Sequence, residues 1–340
     1  MAYLTQTEHR VLHFKKPAGT SRGVYLQRDV WYVRVSTLEH PDRVGLGECA
    51  PLPDLSPEAG ATYEHQLQAA CAHLEQHGCL DKETLRHQPS IRFGLETALR
   101  HLESGSFRLW NTAFARGEQG IPINGLIWMG SPEDMREQIR AKMAAGFRCL
   151  KLKIGACRFE DELALMQDLR RHFPPEALQV RVDANGAFSP AEAADKLQRL
   201  SELGLHSIEQ PLKPGQGSVL AALIQTSPLP IALDEELIGV TDVAAKTKLL
   251  DELNPHFLVL KPTLHGGIEG CTEWIQLAEA RHIGWWITSA LESNIGLNAI
   301  AHWCATLNNP LHQGLGTGML YVDNVDMPLR IEGEHLWYKD

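Results

Sequence analysis

The chain has no surplus of basic residues: 32 lysines and arginines stand against 42 acids, a formal net charge of −10. That balance excludes a nucleic-acid-binding protein, because phosphate recognition needs a basic face. No apolar run comes near the roughly 20 residues that cross a bilayer, and the first residues lack the unbroken apolar core of a secretion signal. A cytoplasmic location is the expectation. Seven cysteines (Cys49, Cys71, Cys79, Cys149, Cys157, Cys271, Cys304) are scattered without a CxxC pair, so they read as reduced and structural. Sixteen histidines include no HExxH, and His9 and His13 lie in a strand-like segment rather than a ligand pattern. No GxGxxG follows a first strand, which argues against dinucleotide binding. The stretch Gly314-Leu-Gly-Thr-Gly318 lacks the lysine of a phosphate loop and reads as close backbone approach.

What is present falls into two textures. Residues 10–14 and 30–35 alternate apolar and polar side chains, as antiparallel strands with one wet face do. A Gly, Ser and Pro-bearing loop is expected at 15–23 between them. Helical spacing follows over 61–76 and 91–102, so residues 1–120 suggest an α+β unit. From 121 onward short apolar runs alternate with helical stretches. The runs fall at 121–128, 149–154, 179–182, 207–208, 231–233, 257–260, 285–287 and, weakly, 311–315. Ser131-Pro-Glu-Asp134 and Ser189-Pro-Ala-Glu192 carry the N-cap serine, first-turn proline and N3 acid of helix starts. Eight strands with helices between them match a parallel barrel, and 340 residues accommodate a barrel of about 250 with a smaller companion. Trp285 and Trp286 read as packing.

In such a barrel the chemistry sits where strands end. The strand ends here carry Lys151 and Lys153, Asp183, Glu209, Asp234, Lys261 and a polar run from Ser289 to Asn294, about one βα unit apart. Three carboxylates converging on a pocket need a compensating charge, and a hard divalent cation supplies it. Lys151 and Lys153, two apart on a strand, point to one side. Mutual repulsion and a nearby cation are expected to pull their ammonium pKa toward neutrality, which suits a general base. Lys261 belongs to the strand across the barrel. A cation that stabilises an enediolate, facing a lysine base, implies proton abstraction α to a carboxylate.

Gly47-Glu-Cys-Ala-Pro51, Lys151-Leu-Lys153, Asp183-Ala-Asn185, Glu209-Gln-Pro211, Asp234-Glu-Glu236 and Lys261-Pro262 resemble the enolase superfamily, muconate-lactonizing-enzyme subgroup, over nearly the whole chain. Within it, Ser289-Ala-Leu-Glu-Ser-Asn-Ile-Gly-Leu-Asn298 and Gln313-Gly-Leu-Gly-Thr317 resemble the o-succinylbenzoate synthase family of menaquinone biosynthesis. The resemblance implies an α/β fold, a modified TIM barrel (β/α)7β over 121–317 under an α+β capping domain of 1–120, with the tail 318–340 returning to the cap. It implies Mg²⁺ on Asp183, Glu209 and Asp234, with Mn²⁺ suiting the same oxygens. Lys153 would be base and then acid in a syn dehydration that aromatises a cyclohexadiene carboxylate, and Lys261 would face the enolate. Lys151, Asn185 and Glu235 would support them. Ser289 and the backbone near Asn294 would hold a second carboxylate, and the cap loop with Ser21 and Arg22 would close over it. A small-molecule carboxylate is the only partner implied, and no oligomeric state is assigned. Dipeptide epimerases and N-acylamino acid racemases of the same superfamily share the metal and both lysines. The epimerases, however, usually carry Asp-x-Asp at the eighth strand, where Leu311 to Thr317 has no acid. Muconate cycloisomerisation and a catalytically silent barrel are more remote alternatives.

Overall fold

The computed structural model describes residues 2–20 and 23–339. Strands β1 (Tyr3–Thr20), β2 (Gly23–Thr37) and β3 (Gly45–Cys49) form an antiparallel sheet. The loop expected at 15–23 is mostly strand. Pairing shifts register between His13 and Ala18, then resumes to Thr20↔Gly23. Pro17 falls inside that irregularity, where a strand tolerates a missing donor. Helices α1 (Tyr63–His77), α2 (Lys82–Leu85) and α3 (Pro89–Ser104) follow. Sheet and helices share a core that includes Val33, Val35, Leu67, Leu74 and Leu95. Strand β3 lies almost on the α3 backbone, since a Cβ at Gly47 would stand 1.9 Å from the Gly94 carbonyl oxygen. The Gly45-x-Gly47 spacing is what permits that contact.

After β4 (Ile121–Pro122) the chain winds a parallel sheet of seven strands. They are β5 (Gly125–Ile127), β6 (Cys149–Lys153), β7 (Gln179–Asp183), β8 (Ser207–Glu209), β9 (Ile231–Leu233), β10 (Phe257–Leu260) and β11 (Gly284–Ile287). The helices between them are α4 (Pro132–Ala144), α5 (Phe159–His172), α6 (Pro190–Ser201), α7 (Gly217–Thr226), α8 (Val243–Leu253) and α9 (Gly267–Glu279), and α10 (Asn294–Leu307) follows β11. Ser131 accepts from the Asp134 amide, and Ser189 with Glu192 completes a capping box. The eighth strand is reduced to isolated parallel bridges, Thr288↔Gly314 and Ile123↔Gln313, which close the ring between β11 and β5. Interior side chains hold it: Gln313 accepts from the Ile287 amide at 2.7 Å, and Arg181 donates to the His312 carbonyl at 2.8 Å.

Leu150, Leu152, Val180, Val182, Ile208, Ile231, Leu258 and Leu260 pack outward against the helices in one large core. Ala232, Val259 and Trp286 fill the barrel interior. Trp286 stacks under Arg181, with 4.0 Å from guanidinium to ring, while Trp285 joins the outer core. Both tryptophans are packing, as expected. The tail splits. Tyr321 bridges Phe14 of the cap sheet, whereas β12 (Leu329–Glu332) and β13 (His335–Tyr338) pair with each other and, through β13, with β4. No helix among the described residues is long and apolar enough to cross a membrane. All seven cysteines are free thiols, five of them buried.

Candidate active site

The outward leucines and valines decide where the charged residues go. With Leu150 and Leu152 packed against helices, strand alternation turns Lys151 and Lys153 inward. Val180 and Val182 do the same for Arg181 and Asp183. Register places Lys153 beside Asp183 and Asp183 beside Glu209, so three neighbouring strands end in one rank. Asp234 and Lys261 follow directly on β9 and β10. Asp183, Glu209 and Asp234 are at most 2% exposed. Lys151 Nζ bridges two of them, 2.9 Å from Asp183 Oδ2 and 2.7 and 2.8 Å from the two Glu209 oxygens. Lys153 Nζ donates to Asn185 Oδ1 at 2.8 Å and to Asp183 Oδ2 at 3.2 Å. Lys261 Nζ pairs with Asp234 Oδ2. Asn185 Nδ2 in turn donates to Glu235 Oε1 at 3.0 Å.

The electrostatics correct the expectation for Lys151. Burial pulls the Lys151 ammonium down, but the facing Asp183 and Glu209 carboxylates more than reverse this and hold its pKa above the usual lysine value. Lys261 is likewise lowered by burial and raised further by Asp234. The opposite charges are closer than the like ones, so they dominate. Among the acids, burial raises Asp183 while Lys151 and Lys153 bring it well below the carboxylate range. Glu209 is raised by burial and by Asp183 beside it. Burial also pulls His265 down to about 4, so it stands neutral near Asp234, its Nδ1 accepting from the Lys261 amide at 2.9 Å.

A cavity opens in front of the lysines. Its walls combine Leu52 and Leu55 from the segment after β3, Tyr25 from β2, Trp128, and residues 288–291 with Gly314, Gly316 and Thr317 from the last barrel loops. Ser289 lines it and donates to Glu292 Oε2 at 2.6 Å. Asn294 stands apart from it. Its amide is held by Asn324 Oδ1 and its Nδ2 by the Val325 carbonyl, both at 2.8 Å, so it anchors the tail. Ser21 and Arg22 lie outside the described residues.

Several lining or supporting residues carry no sequence signal of their own. Asn124, within the 121–128 run, and Thr288, just after β11, line the cavity; Thr317 also lines it, from the Gln313–Thr317 stretch that carries the family resemblance. Gln210, fully buried, accepts from the amides of Asp234 and Glu236 at 3.2 Å each and donates to the Leu212 carbonyl at 3.0 Å. Its place in Glu209-Gln-Pro211, with partners that are mostly backbone, hides this role from the sequence.

Among the described residues no three acid, histidine or cysteine side chains stand together as a ready cation site, for Lys151 lies between two of the acids. The donor set nevertheless suits a hard divalent ion. It consists of three buried carboxylates on adjacent strands, and Asp234 Oδ1 is buried without a hydrogen bond, with His265 Nε2 3.8 Å from it.

Comparison with known proteins places this geometry. Residues 134–340 match the family described as "Enolase C-terminal domain-like", and residues 21–102 match "MenC, N-terminal domain". The chain is 46% identical to the o-succinylbenzoate synthase of Desulfotalea psychrophila, over 95% of each protein. The crystal structure of MenC from the same organism superposes with a TM-score of 0.84 at 39% identity, covering 99% of this chain and 100% of that one. The o-succinylbenzoate synthase of Thermosynechococcus elongatus BP-1, solved with Mg in its active site, gives 0.73 at 28% identity over 91% of this chain and 92% of that one. The chain belongs to the o-succinylbenzoate synthases of the enolase superfamily.

Proposed function

We propose that this site carries out the divalent-cation-dependent syn dehydration of 2-succinyl-6-hydroxy-2,4-cyclohexadiene-1-carboxylate to 2-succinylbenzoate. The observation that carries the reading is the placement of Lys153 and Lys261. They are on the second and sixth barrel strands, both lining one cavity, each in contact with one of the carboxylates behind it. Lys153 takes the proton α to the ring carboxylate and delivers it to the departing hydroxyl. The C–H and C–O bonds break, the new ring double bond completes the aromatic system, and water leaves. Lys261 faces the enolate from the other side, its cation over the developing ring. Lys151 holds Asp183 and Glu209 in place.

Charge bookkeeping supports a metal. With Glu209 raised by burial and by Asp183, the Lys151, Lys153 and Lys261 cations are matched by Asp183, Asp234 and Glu235, so the mouth has no positive charge to spare for a substrate that carries two carboxylates. Asp183, Glu209 and Asp234 would hold Mg²⁺, or Mn²⁺ equally by donor type. When bound, the ion supplies that positive charge and stabilises the enediolate form of the ring carboxylate. Leu52, Leu55, Trp128 and Leu291 give the cavity an apolar wall suited to a ring, and no acid in 311–317 is placed to receive a substrate ammonium group. In this proposal residues 1–120 and part of the tail act as the cap over a cytoplasmic barrel enzyme, and Ser289 contacts the succinyl arm. The test is spectrophotometric: purified protein should aromatise the substrate with Mg²⁺ and stop on chelation. No turnover by folded, Mg²⁺-supplied protein would overturn the substrate assignment.

A further inference from the structure

Cap and barrel meet at the loop that walls the cavity, and the contact is built from buried polar groups. Glu48, the fourth residue of β3, is fully buried. Its Oε1 accepts from the Ser293 amide at 2.8 Å, and its Oε2 accepts from the Gly296 amide at 2.7 Å and from the Ser293 hydroxyl. Ser293 is the N-cap of α10, so an acid from the cap satisfies donors at the positive end of a barrel helix. Two more groups reach the same loop. Arg28 of β2, also buried, donates to the carbonyls of Ala290 and Ala50, and the Tyr321 hydroxyl donates to the Leu291 carbonyl at 2.6 Å. Leu291 sits at φ +67, a conformation that a leucine keeps only when its surroundings hold it. From the barrel side, Glu292 accepts from the Ala290 amide at 2.9 Å and from Thr263, which lies two residues after Lys261.

We propose that Glu48 is a positioning residue for the substrate. By clamping 289–293 from the cap, it makes the pocket wall depend on cap docking and couples that wall to the segment bearing Lys261. This rests on the reading of the cavity as the substrate site. It extends that reading, because Glu48 itself does not line the cavity. Replacing the carboxylate by an amide leaves one of its two buried backbone donors without an acceptor and loosens a strained turn, and the disturbance should be felt in substrate binding before it is felt in chemistry.

The test is Glu48→Gln in the full-length protein, read by kinetics and by amide hydrogen exchange. The clamp predicts a KM at least 10-fold higher with kcat within 3-fold. It also predicts faster exchange confined to 289–296, unchanged exchange of β6 to β8, and unchanged Mn²⁺ affinity. An unchanged KM with unchanged exchange at 289–296 overturns it. So does a loss spread over kcat, Mn²⁺ affinity and the barrel strands, which is what general destabilisation would give. Ser293→Ala removes one of the three bonds together with the cap on the Ile295 amide, keeps the two backbone bonds to Glu48, and should show the same pattern at smaller amplitude; it decides the matter if Glu48→Gln does not fold. The exchange readout needs no turnover, so it stands or falls apart from the substrate assignment.

Discussion

Replacing Gln210 with leucine tests the support of the acid rank most sharply. Gln210 is fully buried between Glu209 and Asp234, and its side chain joins four groups: the amides of Asp234 and Glu236, the Leu212 carbonyl and Glu236 Oε2. Leucine has similar volume, so no cavity opens and the loss is almost wholly polar. Two buried amides lose their acceptor, each costing about 1–3 kcal/mol. Both partners lie on one short turn and relax together, so the sum falls below the additive limit and about 3 kcal/mol is expected. In a chain of this size that lowers Tm by about 4 °C. The Asp234 peptide is also released, and loss of a group that orients a metal ligand typically weakens the ion about 10–100-fold. Denaturant unfolding and Mn²⁺ titration give the two numbers independently. Wild-type stability together with wild-type Mn²⁺ affinity would refute the claim that Gln210 holds Asp234 in place.

Other perturbations have equally definite outcomes. His302 is fully buried between Phe114 and Tyr338, and burial pulls it down to about 3 from 6.5. The unfolded chain binds this proton first, so the contribution is complete above the unfolded pKa and is lost as pH falls toward the folded one. Each pH unit in that window costs about 1.4 kcal/mol. His302→Leu should therefore lose about 1.4 kcal/mol less than wild type between pH 7.5 and 5.5 in urea unfolding, and a parallel pH dependence would contradict this. Gly47→Ala puts a Cβ within 1.9 Å of the Gly94 carbonyl, so strand and helix must separate at a cost on the order of 3 kcal/mol. An unperturbed unfolding midpoint would show that β3 does not bear on α3. Glu192→Ala breaks the capping box of α6 and should cost about 1 kcal/mol without changing KM.

Much of the barrel was legible because its signals are local. Leu150 and Leu152 alternate with the lysines within five residues, and Ser131 and Ser189 stand immediately before their helices, each with an acid three residues on. The candidate site was legible for the same reason: its acids and lysines recur at the ends of successive strands. What escaped depends on partners far along the chain. The 15–20 segment looks like a loop until 23–27 pairs with it, and Glu48 meets Ser293 across 245 residues. Asn294 points to the tail because Asn324 waits there, which no helix-start pattern discloses. The eighth strand shrinks to two bridges since Gly314 and Gly316 supply neither side chains nor stiffness to extend it. For Lys151 the lowered pKa expected from two like charges on one strand gives way to a raised one, because Asp183 and Glu209 stand closer to it.

The central claim is that Lys153 moves the substrate's α-proton in front of three metal-holding carboxylates. The most direct measurement is kcat/KM for dehydration of 2-succinyl-6-hydroxy-2,4-cyclohexadiene-1-carboxylate by Lys153→Ala beside wild type at saturating Mg²⁺, with Mn²⁺ affinity measured on both. The expected loss is about 10²–10⁴-fold or more, as removal of a general base gives, with Mn²⁺ affinity within 3-fold. Retention of activity within 10-fold of wild type would contradict it and move the proton transfer to another residue.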